Sequence, residues 1–189
     1  SRGLGDVYKR QVYGSAVALE IAASELHAQD DCDSKKLEHD FWTCNAESIH
    51  LANKLLNRIS HSKKMPDENS VMLHFIKKSC EIFSIRLLHA DFETELALMR
   101  FLLKAAKMNL LASENIDFIN LKLNQLLEET VITKEDDEKT AIHKTLSREA
   151  ACALALEFYQ KNACADVVLK WKDVSENVDE FLEIRQIAT

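Results

Sequence analysis

Histidine is the side chain best suited to bind a metal or change charge near neutral pH. Three of the seven histidines in this chain are evenly spaced. His39, His50 and His61 recur every eleven residues, within about 20° of a whole number of helical turns, so on one helix they share a face. Eleven residues also put neighbours about 16 Å apart, too far to share one metal ion. A solvated histidine stripe is the simpler reading. Glu47-Ser-Ile-His50 has the E-x-x-H spacing of di-iron bundles, with both side chains on one helix face. Such centres need a second E-x-x-H and two further glutamates on other helices, and no second copy occurs here. A metal-binding bundle or enzyme built on Glu47 and His50 is therefore the alternative, not the expectation. There is also no H-E-x-x-H, no G-x-S-x-G and no glycine-rich phosphate loop.

The other reactive side chains give as little. Cys32, Cys44, Cys80, Cys152 and Cys164 are odd in number, scattered, and never in C-x-x-C spacing. Cys44, Cys80 and Cys152 fall within apolar stripes and are expected to pack as small hydrophobes. Cys32 lies between Asp31 and Asp33, whose charge disfavours a thiolate. This usage points to a reducing, intracellular compartment, cytoplasmic or nuclear. Trp42 and Trp171 are the candidate anchors for a protein partner, since aromatic residues dominate interface hot spots; core packing is the competing role for each. No catalytic, cofactor-binding or metal-ligating residue is assigned, and no cofactor is expected.

The elements that would position these residues follow from composition. The chain has 189 residues, 47% hydrophobic, with three glycines and one proline, where average usage would give roughly 13 and 9. Hairpins, Greek keys and nucleotide-binding turns need glycine, Asn-Gly or proline where the backbone turns sharply. Sheet-rich, Rossmann and P-loop folds are thereby disfavoured, and an all-α chain is expected. A net charge of −7, with Lys63-Lys64 and Lys77-Lys78 among few basic doublets, argues against direct nucleic-acid binding. The longest apolar run, from Ala150 to Leu156, is far short of the ~20 residues that span a bilayer.

Residues 1–11 match no neighbouring pattern. They resemble the translation of a sequencing adapter: GAT GTG TAT AAG AGA CAG gives Asp6 to Gln11, and TCT CGT GGG CTC GGA gives Ser1 to Gly5. A tag of this kind is not native protein and stands outside the fold. Both ends of the chain are then expected to be arbitrary, and deletion of residues 1–11 should leave the thermal midpoint unchanged. Without it, Gly14 is the single glycine and Pro66 the single proline of residues 12–189.

About eight amphipathic helices are expected over 12–189. The first spans about 15–29, and the second, about 35–61, carries Leu37, Phe41, Cys44, Ala52, Leu55 and Ile59 at helical spacing. A loop around Pro66 precedes a helix over about 67–89. Asp91 should cap the next, about 92–111, with Glu93 and Glu95 in its first turn and an apolar arc wide enough for an inner position. Ser113 opens one over about 114–130. Thr133 with Glu135-Asp136-Asp137-Glu138 marks a start for a helix over about 134–161, whose alanine-rich Glu149–Ala155 permits close packing. A short helix carries Val167, Val168 and Trp171, and a last one, capped by Asn177, carries Phe181, Leu182 and Ile184.

Short connectors suggest antiparallel hairpins, assembled as an α-solenoid-like stack or, alternatively, a compact helical bundle. The segment 81–111, and more loosely 149–171, resembles a helical pair of the TPR and HEAT repeat families, without the tryptophan, glycine and proline marks of a TPR consensus. The resemblance implies a non-catalytic scaffold for protein–protein interaction and no particular binding residue. Residues 12–189 are then one α-helical domain or a fragment of a longer helical-repeat protein. A helical accessory region of a larger enzyme or chromosome-associated assembly is a further alternative.

Overall fold

The computed structural model describes residues 45–61, 70–163 and 165–176. Among these the chain is all-α: α1 (Asn45–His61), α2 (Val71–Arg86), a 3₁₀ turn (Leu87–His89), α3 (Phe92–Lys107), α4 (Ser113–Glu129), α5 (Glu138–Gln160) and α6 (Asp166–Glu176). The adapter-like segment, the helix expected over 15–29, the Pro66 loop, Trp42, Cys32, Cys44, Cys164 and the Phe181–Ile184 stripe lie outside the described residues. The chain divides into two compact units, Ser1–Ser79 and Cys80–Thr189.

In the first unit α1 buries Ile49, Ala52, Leu56 and Ile59, spaced three or four residues apart as one helical face requires. The early part of α2 buries Leu73, Phe75, Ile76 and Ser79, and the Ser79 hydroxyl donates to the Phe75 carbonyl at 2.8 Å. That bond satisfies a polar group that burial would otherwise penalise.

The second unit holds the larger core, in which Phe83, Phe101, Leu102, Ile119, Leu154, Phe158 and Trp171 are almost wholly inaccessible. Phe83 meets Phe101 edge to face at 5.0 Å between centroids. α5 packs along α3 and α6, and α4 along α5, α6 and the 3₁₀ turn. The tightest pair, α3 with α5, is not a hairpin of sequence neighbours. At their N-termini Phe92 of α3 stacks on His143 of α5, 3.8 Å between centroids. One turn on, Ser147 of α5 reaches Glu95 of α3, and at the C-termini Lys161 reaches Asn109, each pair 52 residues apart. The two helices therefore run parallel, in register, and α4 must return the chain between them. A sequence reading of short connectors misses this pairing, because connector length limits only where the next helix begins.

Helix ends explain how the chain manages with so little glycine. α3 and α5 both finish on an asparagine in the left-handed region, Asn109 at φ 58° and Asn162 at φ 57°. The Leu110 N–H bonds to the Ala105 carbonyl and the Asn109 N–H to Ala106; Ala163 to Phe158 and Asn162 to Tyr159 repeat the pattern. This is the Schellman arrangement with asparagine where glycine is usual. Lys161 joins the two ends, its ammonium donating to the Ala106 carbonyl and to Asn109 Oδ1, the latter at 2.7 Å.

Starts follow the expected chemistry at Asp91, which accepts the Thr94 N–H at 2.9 Å. At α4 the capping is reversed: Ala112 offers no acceptor, and Asn115 reaches back to take the Ala112 N–H at 2.9 Å. α5 starts later than Thr133 suggests. Asp136 folds back onto the Thr133 N–H and is held by Lys144 at 2.8 Å, so Asp137 becomes the cap, accepting from Thr140 at 2.7 Å. The acidic run is thus divided between a loop clasp and a helix start. α3 likewise ends at Lys107, short of the expected 111, because Asn109 turns the chain.

Candidate functional site

Two places in the second unit gather chemistry, one inside and one outside. Inside, Glu95 of α3 and Lys122 of α4, each 6% exposed, form an ion pair at 2.8 Å. The Ser147 hydroxyl of α5 donates to the other Glu95 oxygen at 2.9 Å, and Glu129 approaches Lys122 at 3.6 Å from the surface. Buried charges are tolerated only when paired and hydrogen-bonded, and here three helices share the task.

Beside it lies a second cluster. Trp171 of α6 is fully buried and donates its indole N–H to the Leu123 carbonyl of α4 at 3.0 Å. Arg148 of α5 stands over that ring at 5.6 Å and donates to the Thr130 hydroxyl at 3.3 Å. Cys152 packs against the same tryptophan, its thiol 4.0 Å from the Trp171 carbonyl. Burial raises the Cys152 thiol above its ordinary range, and pushes that of Cys80 up to about 12. Neither thiol is disposed to form a thiolate nucleophile at neutral pH.

Outside, α3 and α5 leave a shallow cleft of ≈ 230 Å³ along their seam. Leu96, Met99 and Leu103 line one side and Leu146 and Ala150 the other. Leu146 is 37% exposed and Ile142, one turn earlier on α5, 44%. Arg100 stands on the α3 rim and Glu149 on the α5 rim, both exposed. Among the described residues neither forms an ion pair, although they carry opposite charges on facing helices.

The residues singled out by sequence scatter. Glu47 and His50 both lie on α1, and His50 is exposed. His61 closes the same helix, bonding to the Asn57 carbonyl at 2.7 Å. Among the described residues no group of three or more His, Cys, Asp or Glu side chains is placed to hold a metal ion. Trp171 sits in the core position that competes with its role as anchor, and it presents no surface to a partner. Sequence reasoning passes over the pairing of Glu95 with Lys122, yet a signal for it is in the spacing. Glu95 stands three residues before Leu98 and four before Met99; Lys122 stands three after Ile119 and four before Leu126. Both are charges on the buried stripe of their own helix.

No helix among the described residues is long and apolar enough to cross a membrane. Comparison of the chain with protein-family models, with curated proteins and with solved structures finds no match to any of them.

Proposed function

We propose that this protein is a non-catalytic helical scaffold and that the α3/α5 cleft is its contact face for another protein. The cleft itself carries the proposal: apolar side chains line it, Leu146 among them 37% exposed, and its two charges, Arg100 and Glu149, are opposite and unpaired among the described residues. Ile142 keeps 44% and Leu146 37% of its surface in solvent, and a partner gains roughly 1 kcal/mol for each remainder it covers. The matching surface is helical, with an apolar strip flanked by charge.

The α-solenoid-like stack belongs to the same proposal. Parallel register between α3 and α5, and the packing of α4 on α6, support two layers of helices in which alternate helices are neighbours. Eight helices, the TPR- and HEAT-like relationship and an intracellular setting go with that architecture.

A photo-crosslinking residue placed at Leu146, in cells producing the protein, tests the contact face. A protein adduct is expected at Leu146 and not at exposed Gln125 on α4. Equal labelling at the two positions, or none at Leu146, would overturn the proposal.

A further inference from the structure

Resting on that contact face, we infer that its occupant is a second copy of this chain, joined in a weak two-fold dimer. The charges on the rims specify it. Two copies meeting face to face around a two-fold axis along the seam lay α3 of each on α5 of the other, because the helices are parallel. In that arrangement Arg100 of one copy stands over the rim that carries Glu149 in the other, and the contact occurs twice. A self-complementary patch needs what this one has: a basic rim, an acidic rim and an apolar strip between them. Leu146 and Ile142 then cover the Leu96–Leu103 side of the opposite cleft. With a two-fold axis across the seam instead, Arg100 would face the α3 rim of the second copy, which offers it no carboxylate within the cleft.

Size sets the strength. α3 has 16 residues and is about 24 Å long, and two helices side by side present a face about 20 Å wide. The pair of faces buries on the order of 1,000 Å² in total, the low end for a specific interface. A dissociation constant in the micromolar range is expected, so the dimer forms at high local concentration and separates on dilution.

Sedimentation equilibrium over about 1 μM to 1 mM tests this on the whole chain. The apparent mass should climb from 21.5 kDa toward twice that value. Arg100→Glu alone and Glu149→Arg alone each place like charges together twice, and each should raise the dissociation constant at least about tenfold. Mixing the two variants restores both opposite-charge contacts, so the equimolar mixture should associate about as well as the original chain. Circular dichroism on each variant confirms that the helices are retained. A wild-type chain that stays monomeric at 1 mM overturns the inference, as does a dimer that neither variant weakens. Failure of the mixture to recover overturns the Arg100–Glu149 pairing. Should the chain be monomeric while Leu146 crosslinks a different protein, self-association falls and the contact face stands.

Discussion

α5 presents two unlike surfaces within a few turns of each other. Toward α3, α4 and α6 it offers Ser147, Arg148 and Cys152, and the polar ones among these are bonded to groups on other helices or in the turn that follows α4. Toward the cleft it offers Leu146 and Ala150, with Glu149 unpaired and Ile142 exposed one turn before Leu146. Beside the usual apolar residues, Leu154 and Phe158 among them, the inner surface therefore holds charge, while the outer one leaves a leucine and an isoleucine partly exposed. Each inner charge is satisfied only when three helices hold one particular alignment, so it contributes register as well as cohesion. Nothing within the unit asks anything of the outer surface. A side chain that the fold does not use is free to serve a contact, and this contrast is what separates scaffold from contact face in this unit.

Breaking the inner surface should have the largest effect. Lys122→Ala leaves the Glu95 carboxylate buried with Ser147 alone, and a loss of about 3–5 kcal/mol is expected from the urea midpoint. Replacing all three members with apolar residues (Glu95→Leu, Lys122→Met, Ser147→Ala) should recover most of that stability, because no charge is then stranded. The triple variant should lose uniqueness instead, seen as broadened amide signals. A loss under about 1 kcal/mol for Lys122→Ala would mean that water reaches the pair, and the contrast between the surfaces would fail.

The indole of Trp171 should come next. Trp171→Phe keeps most of the buried ring but removes the second donor to the Leu123 carbonyl, which keeps only its helical bond, and weakens the stacking of Arg148. About 2 kcal/mol is expected, read from the same denaturation curves.

On the outer surface, Ile142→Glu and Leu146→Glu should each cost no more than about 1 kcal/mol, read from the urea midpoint, while abolishing contact. A large loss of stability from either would show that the stripe supports the fold, and the distinction between the two faces of α5 would be void.

These two surfaces are unequally legible in the sequence. Periodicity locates α3 to α5 within a few residues, since a stripe needs only local spacing, and Asp91 announces its cap because capping is local too. The start of α5 escapes local reading for a tertiary reason: Lys144, eight residues on, claims Asp136 and moves the cap to Asp137. Glu95 reads as a first-turn carboxylate stabilising a helix dipole, which it is; its burial depends on Lys122, which no local pattern brings to it. The parallel pairing of α3 with α5 is least legible, because it is fixed by contacts 52 residues apart. The cleft follows from that pairing and is hidden for the same reason.

The smallest expected effect concerns charge at a third kind of place, the helix ends, where it is neither buried nor unpaired. Asp91 is held below its ordinary value of 3.8 chiefly by the backbone N–H of Thr94, and Asp137 below the same value chiefly by the hydrogen bond from Thr140. A carboxyl whose folded value is depressed stabilises the fold above the unfolded value and loses that contribution as pH falls through the folded one. The caps should therefore matter fully at about pH 5 and above, and progressively less below about pH 4. Asparagine accepts the same hydrogen bond without titrating. The double variant Asp91→Asn, Asp137→Asn should melt slightly below the parent at neutral pH, lacking two charges at the positive ends of helices. As the parent protonates the gap should close, so the two melting curves converge toward about pH 2.5. Thermal midpoints by circular dichroism from about pH 7 to 2.5 make the comparison, and a constant gap across that range would show that these carboxylates do not cap. Because both aspartates are exposed, the shift should amount to a degree or two, far below the loss from Lys122→Ala. The same charge that is marginal at a solvated helix end becomes decisive once three helices enclose it.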